Sequence, residues 1–202
     1  MKRILFTGLL TLGLSATASA SVISMVGDED YLGGAIAPGA TSFPGNFDNR
    51  SASELAATNG AQHTDYASGS FGSSLANPTF TFNYLLDGAI TGATLTVGAG
   101  GIQSQNDRLY LDNVLLSSTF PEQGPNGYNG ALSWSITGAL LNELLDNSAS
   151  FRFNLNSNNG GEPVVFDYAR LTINTTAVAE PGSLALLALG LVGLGYSRKK
   201  RA

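Results

Sequence analysis

Cysteine is absent from the 202 residues, histidine occurs once, at His63, and lysine is missing from everything between Lys2 and Lys199. Without cysteine no disulfide staples the chain, so stability must come from a packed core or a bound metal. One histidine and no cysteine exclude an ordinary structural zinc site, which draws on several such ligands. The cations are scarce and badly placed for nucleic acid. Six of the ten Lys and Arg residues sit at the two ends (Lys2, Arg3, Arg198, Lys199, Lys200, Arg201), which leaves Arg50, Arg108, Arg152 and Arg170 to face all fifteen Asp and Glu residues. So acidic a body lacks the basic face that phosphate backbones require, which excludes nucleic acid as a partner. Divalent cations and neutral glycans suit it better.

A long hydrophobic run is also missing. At the C-terminus Glu180 and Pro181 precede an apolar segment, 183–196, and the cluster Arg198, Lys199, Lys200, Arg201. Its 14 residues span roughly 21 Å as a helix, short of the roughly 30 Å hydrocarbon core. Gly190, Gly193 and Gly195 weaken the helix further. The terminal cations resist translocation and hold that end in the cytoplasm. An ordinary membrane anchor is the alternative reading, and the run is short for one. The order Glu-Pro, apolar segment, basic cluster resembles the PEP-CTERM sorting signal of Gram-negative bacteria. Where that family usually has Pro-Glu-Pro, this chain reads Ala179-Glu180-Pro181. The resemblance implies a surface-sorting tag over 177–202 that the membrane protease exosortase recognises at Glu180 and Pro181 and removes. It also implies an organism that makes exopolysaccharide, with transient anchoring in the inner membrane before release to the cell surface or matrix.

The N-terminus agrees with export. Lys2 and Arg3 precede an apolar stretch, 4–14, and Ala18-Ser19-Ala20 is a small-residue cleavage site, the three parts of a secretory signal peptide. Signal peptidase would then cut after Ala20, and the mature chain would begin at Ser21. About 155 residues remain before the tag, enough for one core.

Within that body, 21–176, the first part to residue 78 is rich in Gly, Ser, Ala, Asn and Pro and reads as loops. A weak strand at 21–26 and a brief helix at 53–57 are its only regular elements. From 79 to 173 the period is two. Phe80, Phe82 and Tyr84 share one face of a strand at 79–85, and Leu95 and Val97 oppose Thr94 and Thr96 at 92–97, with Asp87-Gly88 as a turn between them. Further strands are predicted at 108–111, 114–117, 131–137, 150–155 and 164–173, and a two-turn helix at 139–146. Short strands separated by turns predict a mostly β protein, a single antiparallel β-sandwich with one short helix. The segments at 90–97, 106–112 and 166–173 resemble the jelly-roll domains common in PEP-CTERM proteins, which are similar in outline to galactose-binding-like and carbohydrate-binding sandwiches.

One carboxylate stands out by phase. Alternation puts Asp167 on the face of Ala169, Leu171 and Ile173, where a lone buried carboxylate is costly unless paired or bound to metal. Similar sandwich domains often hold calcium between an early loop and the final strand, which makes Asp28, Glu29 and Asp30 the candidate partners of Asp167. Calcium wants several oxygens at flexible spacing. The alternative has Asp167 paired with Arg170 or Arg108 and the early acidic run solvated. Tyr31 and Tyr128 are candidate glycan platforms, Tyr128 within a predicted loop at 125–130, while Trp134 reads as core.

Catalytic signals are thin. His63 with Thr64 and Asp65 nearby suggests a base and its orienting acid, but no Gly-x-Ser-x-Gly elbow accompanies it. Glu54, Glu122, Glu143 and Glu162 are the carboxylates from which a glycosidase pair would come, and no spacing selects two of them. The expectation is a non-enzymatic, exported structural or adhesive component of the exopolysaccharide or biofilm matrix. A carbohydrate-binding module and an envelope hydrolase are the alternatives.

Overall fold

Where apolar and polar residues alternate, strands form. The structure is a computed structural model that describes residues 19–34, 47–56, 64–67, 78–100, 107–118, 120, 128–155 and 164–176. The segment 1–18, His63 and the tail from 177 onward lie outside the described residues. Among the described residues ten strands succeed one another: β1 (Ser19–Gly27), β2 (Phe47–Asp48), β3 (Tyr66–Ala67), β4 (Thr79–Asn83), β5 (Ile90–Gly100), β6 (Arg108–Leu111), β7 (Val114–Ser117), β8 (Tyr128–Ile136), β9 (Ser148–Asn154) and β10 (Val165–Thr176). One sheet has the order β1-β10-β5-β8 and the other β4-β9-β6-β7, each antiparallel throughout, while β2 and β3 form a separate two-stranded ribbon.

The period-two pattern decides which face each strand buries. In β4, Phe80 and Phe82 are buried and Thr81 and Asn83 exposed, and in β9 Ala149, Phe151 and Phe153 point inward. The opposing sheet contributes Leu95 and Val97 from β5, Leu132, Trp134 and Ile136 from β8, and Ala169, Leu171 and Ile173 from β10 to the same core. Rings cross between the two sheets. Phe80 meets Phe166 edge-on at 5.2 Å, and Trp134 meets Phe153 at 5.7 Å, the T-shaped geometry that aromatic quadrupoles favour. Two antiparallel layers around one core are therefore in place.

Several boundaries differ from expectation for identifiable reasons. β1 begins at Ser19, with Ser19 opposite Thr176 and Ala20 opposite Thr175, so the expected cleavage point between Ala20 and Ser21 falls inside a paired strand. First and last strands are thus neighbours, and the end of β10 leads directly into the tail. β8 begins at Tyr128, paired with Gly100, where a loop was expected, because β5 runs on to residue 100 and offers a ladder to pair with. The predicted helix at 139–146 is a 3₁₀ helix, Gly138–Leu144, and a five-residue α-helix, α1 (Ala52–Ala56), falls one residue from the brief helix expected there. Leu144 is the buried anchor of the 3₁₀ helix, and the buried Tyr84 hydroxyl donates to the Leu144 carbonyl at 2.9 Å. Among the described residues no helix is long and apolar enough to cross a membrane.

Candidate metal centre

The site begins with an irregularity in β10. Opposite β5 the register slips between Phe166 and Tyr168, so Asp167 is the extra residue of a bulge. A bulge changes the phase of a strand and re-aims a side chain. Phe166 takes the core position, packed on Phe80 and on Phe153 at 5.3 Å, and Asp167 is released from the hydrophobic face on which strict alternation would have put it. It stays fully buried all the same. The Leu32 amide donates to its Oδ1 at 2.8 Å.

Leu32 belongs to the turn immediately after β1. Tyr31, Leu32, Gly33 and Gly34 all have positive φ, between 59° and 72°, and the Gly34 amide donates to the Asp30 carbonyl at 3.0 Å. One left-handed turn results, unfavourable for Tyr and Leu on its own. Its amides point at carboxylates, with Leu32 donating to Asp167 and Gly33 to the Asp30 side chain. Gly27, just before the turn, also has positive φ, and a Cβ there would collide with the Asp167 carbonyl and the Thr64 side chain. Any larger residue would push β1 off the bulge.

Two more carboxylates arrive from the loop-rich third. Thr64 bridges in parallel to Phe166, and the Asp65 amide donates to the Phe166 carbonyl at 2.8 Å while its own carbonyl accepts from the Asn49 amide at 2.9 Å. Asn49 Nδ2 in turn donates to the Leu32 carbonyl at 2.9 Å. Glu54 comes from α1, where Ser51 and Glu54 form a capping box. The Ser51 amide donates to Glu54 Oε2 at 2.7 Å, and the Glu54 amide donates to Ser51 Oγ at 3.2 Å. That leaves Oε1 over.

Five carboxylates therefore converge: Asp28, Asp30, Glu54, Asp65 and Asp167. Oxygens of Asp28, Glu54 and Asp65 lie within 4.8 Å of one another, and so do oxygens of Asp30, Asp65 and Asp167. Asp65 is 0% exposed and Glu54 6%. Both oxygens of Asp65, Oε1 of Glu54 and Oδ1 of Asp28 are buried without a hydrogen-bond partner among the described residues. Buried unpaired oxygens are expensive, and a cation or a proton is what relieves them. Burial, and then the neighbouring Glu54, Asp30, Asp167 and Asp28, push Asp65 up to about 9. Asp28 is pushed up to about 6, first by burial and then by Glu54 and Asp30. An all-oxygen, strongly anionic cage suits a hard cation such as calcium.

Of the predicted ligands, Asp28, Asp30 and Asp167 are brought together and Glu29 is not. Its carboxylate turns outward and pairs with Arg170 at 3.3 Å. The two carboxylates of the cluster that the sequence did not mark as candidate ligands are Glu54 and Asp65, the first read as a glycosidase carboxylate and the second as a partner for His63. A Ser-x-x-Glu capping box at 51–54 was legible, but it announces a helix start, not the free oxygen. Tyr31 is exposed on the left-handed turn beside Asp30, and Tyr128 lies at the start of β8. Glu143 sits on the 3₁₀ helix, away from this cluster, and Glu122 and Glu162 lie outside the described residues.

β10 ends at Thr176 and passes the chain to its C-terminal tail. Residues 177–200 match the PEP-CTERM protein-sorting motif. The motif supports an exported, surface-sorted protein that exosortase processes. No curated protein matches the chain.

Proposed function

We propose that this PEP-CTERM protein is a non-enzymatic component of the extracellular matrix of a Gram-negative bacterium, with structural calcium fastening its β-sandwich after export. The observation that carries the calcium reading is the pair of unpartnered oxygens on the fully buried Asp65, enclosed by four further carboxylates. Export supports it as well, since extracellular calcium modules work at about 10⁻⁴ to 10⁻³ M. The cluster joins the turn after β1 to the bulge of β10 and to the loop carrying α1, so an ion there would clamp segments that no disulfide can hold. Asp65 and Asp167 are sealed from solvent, which disfavours reading these carboxylates as a glycosidase pair that a sugar ring must reach. A jelly-roll, galactose-binding-like ancestry, with exopolysaccharide or another surface glycan as partner, is part of the same proposal, as are removal of the signal peptide by signal peptidase and of the tail by exosortase.

Two measurements test it. Thermal unfolding of the full chain in detergent, with about 10 mM calcium and then with chelator, should show a melting temperature higher by roughly 5–10 °C in calcium, given about 2.7 kcal/mol at a hundredfold excess over a Kd of about 10⁻⁴ M and about 2–4 °C per kcal/mol at this size. Equal melting temperatures would remove the calcium clamp. In cells, fractionation of the intact chain should find it at the surface, shortened at its C-terminus, whereas a chain ending at Thr176 should stay in the periplasm. The same distribution for both would refute tail-directed sorting.

A further inference from the structure

Five carboxylates are more than one calcium ion needs for charge balance, and their oxygens fall into two close-set groups. The two groups share a single member. Asp28, Glu54 and Asp65 make an inner group, largely buried, and Asp30, Asp65 and Asp167 make an outer one that reaches solvent at Asp30. Asp65 alone belongs to both, and both of its oxygens are buried with no partner among the described residues. A carboxylate with one oxygen free for each of two sites is the ordinary bridging ligand of paired cations.

We propose that the cluster binds two calcium ions, bridged by the Asp65 carboxylate, the inner one held with Asp28 and Glu54 and the outer one with Asp30 and Asp167. This rests on the calcium reading above and adds the number of ions and the division of ligands. Charge supports it. A single divalent ion leaves most of the negative charge of five clustered carboxylates uncompensated, and the ion pairs of Arg50 and Arg170 are with Asp48 at 2.7 Å and Glu29 at 3.3 Å, carboxylates outside the cluster. Orientation supports it too. Glu54 Oε2 accepts from the Ser51 amide and leaves Oε1 for the inner ion. The Asp30 and Asp167 side chains are each aligned by an amide of the left-handed turn, as outer-shell hydrogen bonds align metal ligands. The inner ion is enclosed and the outer one sits at the mouth, so the outer ion is the weaker and the first to leave.

The test counts ions. Equilibrium dialysis of the full chain in detergent against radioactive calcium, near pH 7.5, should reach two ions per chain. Glu54→Gln, at the inner group, and Asp30→Asn, at the exposed outer group, should each reach one, and Asp65→Asn none, with circular dichroism confirming that each variant is folded. Asp30→Asn alters an exposed side chain, so it remains informative if a buried substitution prevents folding. One ion per chain in the unaltered protein would overturn the bridged pair and leave the single-calcium clamp standing. No bound ion would overturn both, and two ions in folded Asp30→Asn would overturn the assignment of the outer site.

Discussion

Calcium-free protein is expected to lose stability steadily as pH rises from 5 to 8, the reverse of what ion-paired carboxylates usually produce. In the folded chain without a cation, Asp65 keeps its proton up to about pH 9 and Asp28 up to about pH 6, whereas both release it near 3.8 when unfolded. Between those limits the folded state holds more protons than the unfolded state, so raising the pH favours unfolding. The slope is about 1.4 kcal/mol per pH unit per proton, shared by both groups below pH 6 and carried by Asp65 above it. Asp30, Glu54 and Asp167 face these two groups and enforce the shift, while Arg170 is drawn to Glu29 and Arg50 to Asp48. Calcium should act in the opposite sense. It requires deprotonated ligands, so its affinity and the stabilisation it confers should grow with pH. Denaturant unfolding at pH 5, 6, 7 and 8, with calcium and with chelator, measures both trends. Asp65→Asn should flatten the chelator series above pH 6 and, at pH 8 without calcium, be more stable than the unaltered protein. A chelator series that is already flat in the unaltered protein would mean that the cluster holds no proton on folding.

Phe153→Ala is expected to cost about 3–5 kcal/mol, the range for removing a fully buried ring, and to lower the melting temperature by about 6–20 °C. Phe153 stands at the junction of the two sheets, with ring centroids 6.0 Å from Phe80 and Phe120, 5.7 Å from Trp134 and 5.3 Å from Phe166. No neighbour can collapse into the space without leaving its own partner. Leu115→Ala, at an exposed position of β7, should change stability by less than about 0.5 kcal/mol and serves as the control. The loss should also reach the proposed calcium site, because Phe166 packs against Phe153 and occupies the core position next to the bulge residue Asp167. Calcium affinity should therefore fall in Phe153→Ala even though every ligand remains. Unchanged affinity in a folded variant would show that the turn after β1 positions Asp167 without help from the core.

Legibility differed between features because they are encoded differently. Strands such as β4, β8, β9 and β10 could be located from alternation because burial repeats every two residues along an extended chain, and Phe80, Trp134 and Leu171 announce their face locally. The loop-rich third was opaque for the same reason. Thr64 and Asp65 carry no periodicity, and what places them is a bridge to Phe166, about a hundred positions later. Asp167 was singled out by phase, but its address depended on a bulge, which no alternation encodes. The Leu32 amide that holds it lies 135 positions away.

The sequence by itself carried the sorting signal of this protein, because such a motif is a linear stretch of chain, with Glu180, Pro181, the apolar run and the basic cluster in order. It also determined the acidic, cysteine-free composition that makes a cation clamp useful. Only the tertiary structure decided which carboxylates meet. It excluded Glu29, which pairs with Arg170, and admitted Glu54 and Asp65. The physical reason is that strand pairing brings β1 beside β10 and seats the 64–65 segment against the bulge, and a cage for an ion exists only where such long-range pairings bring charges together out of water.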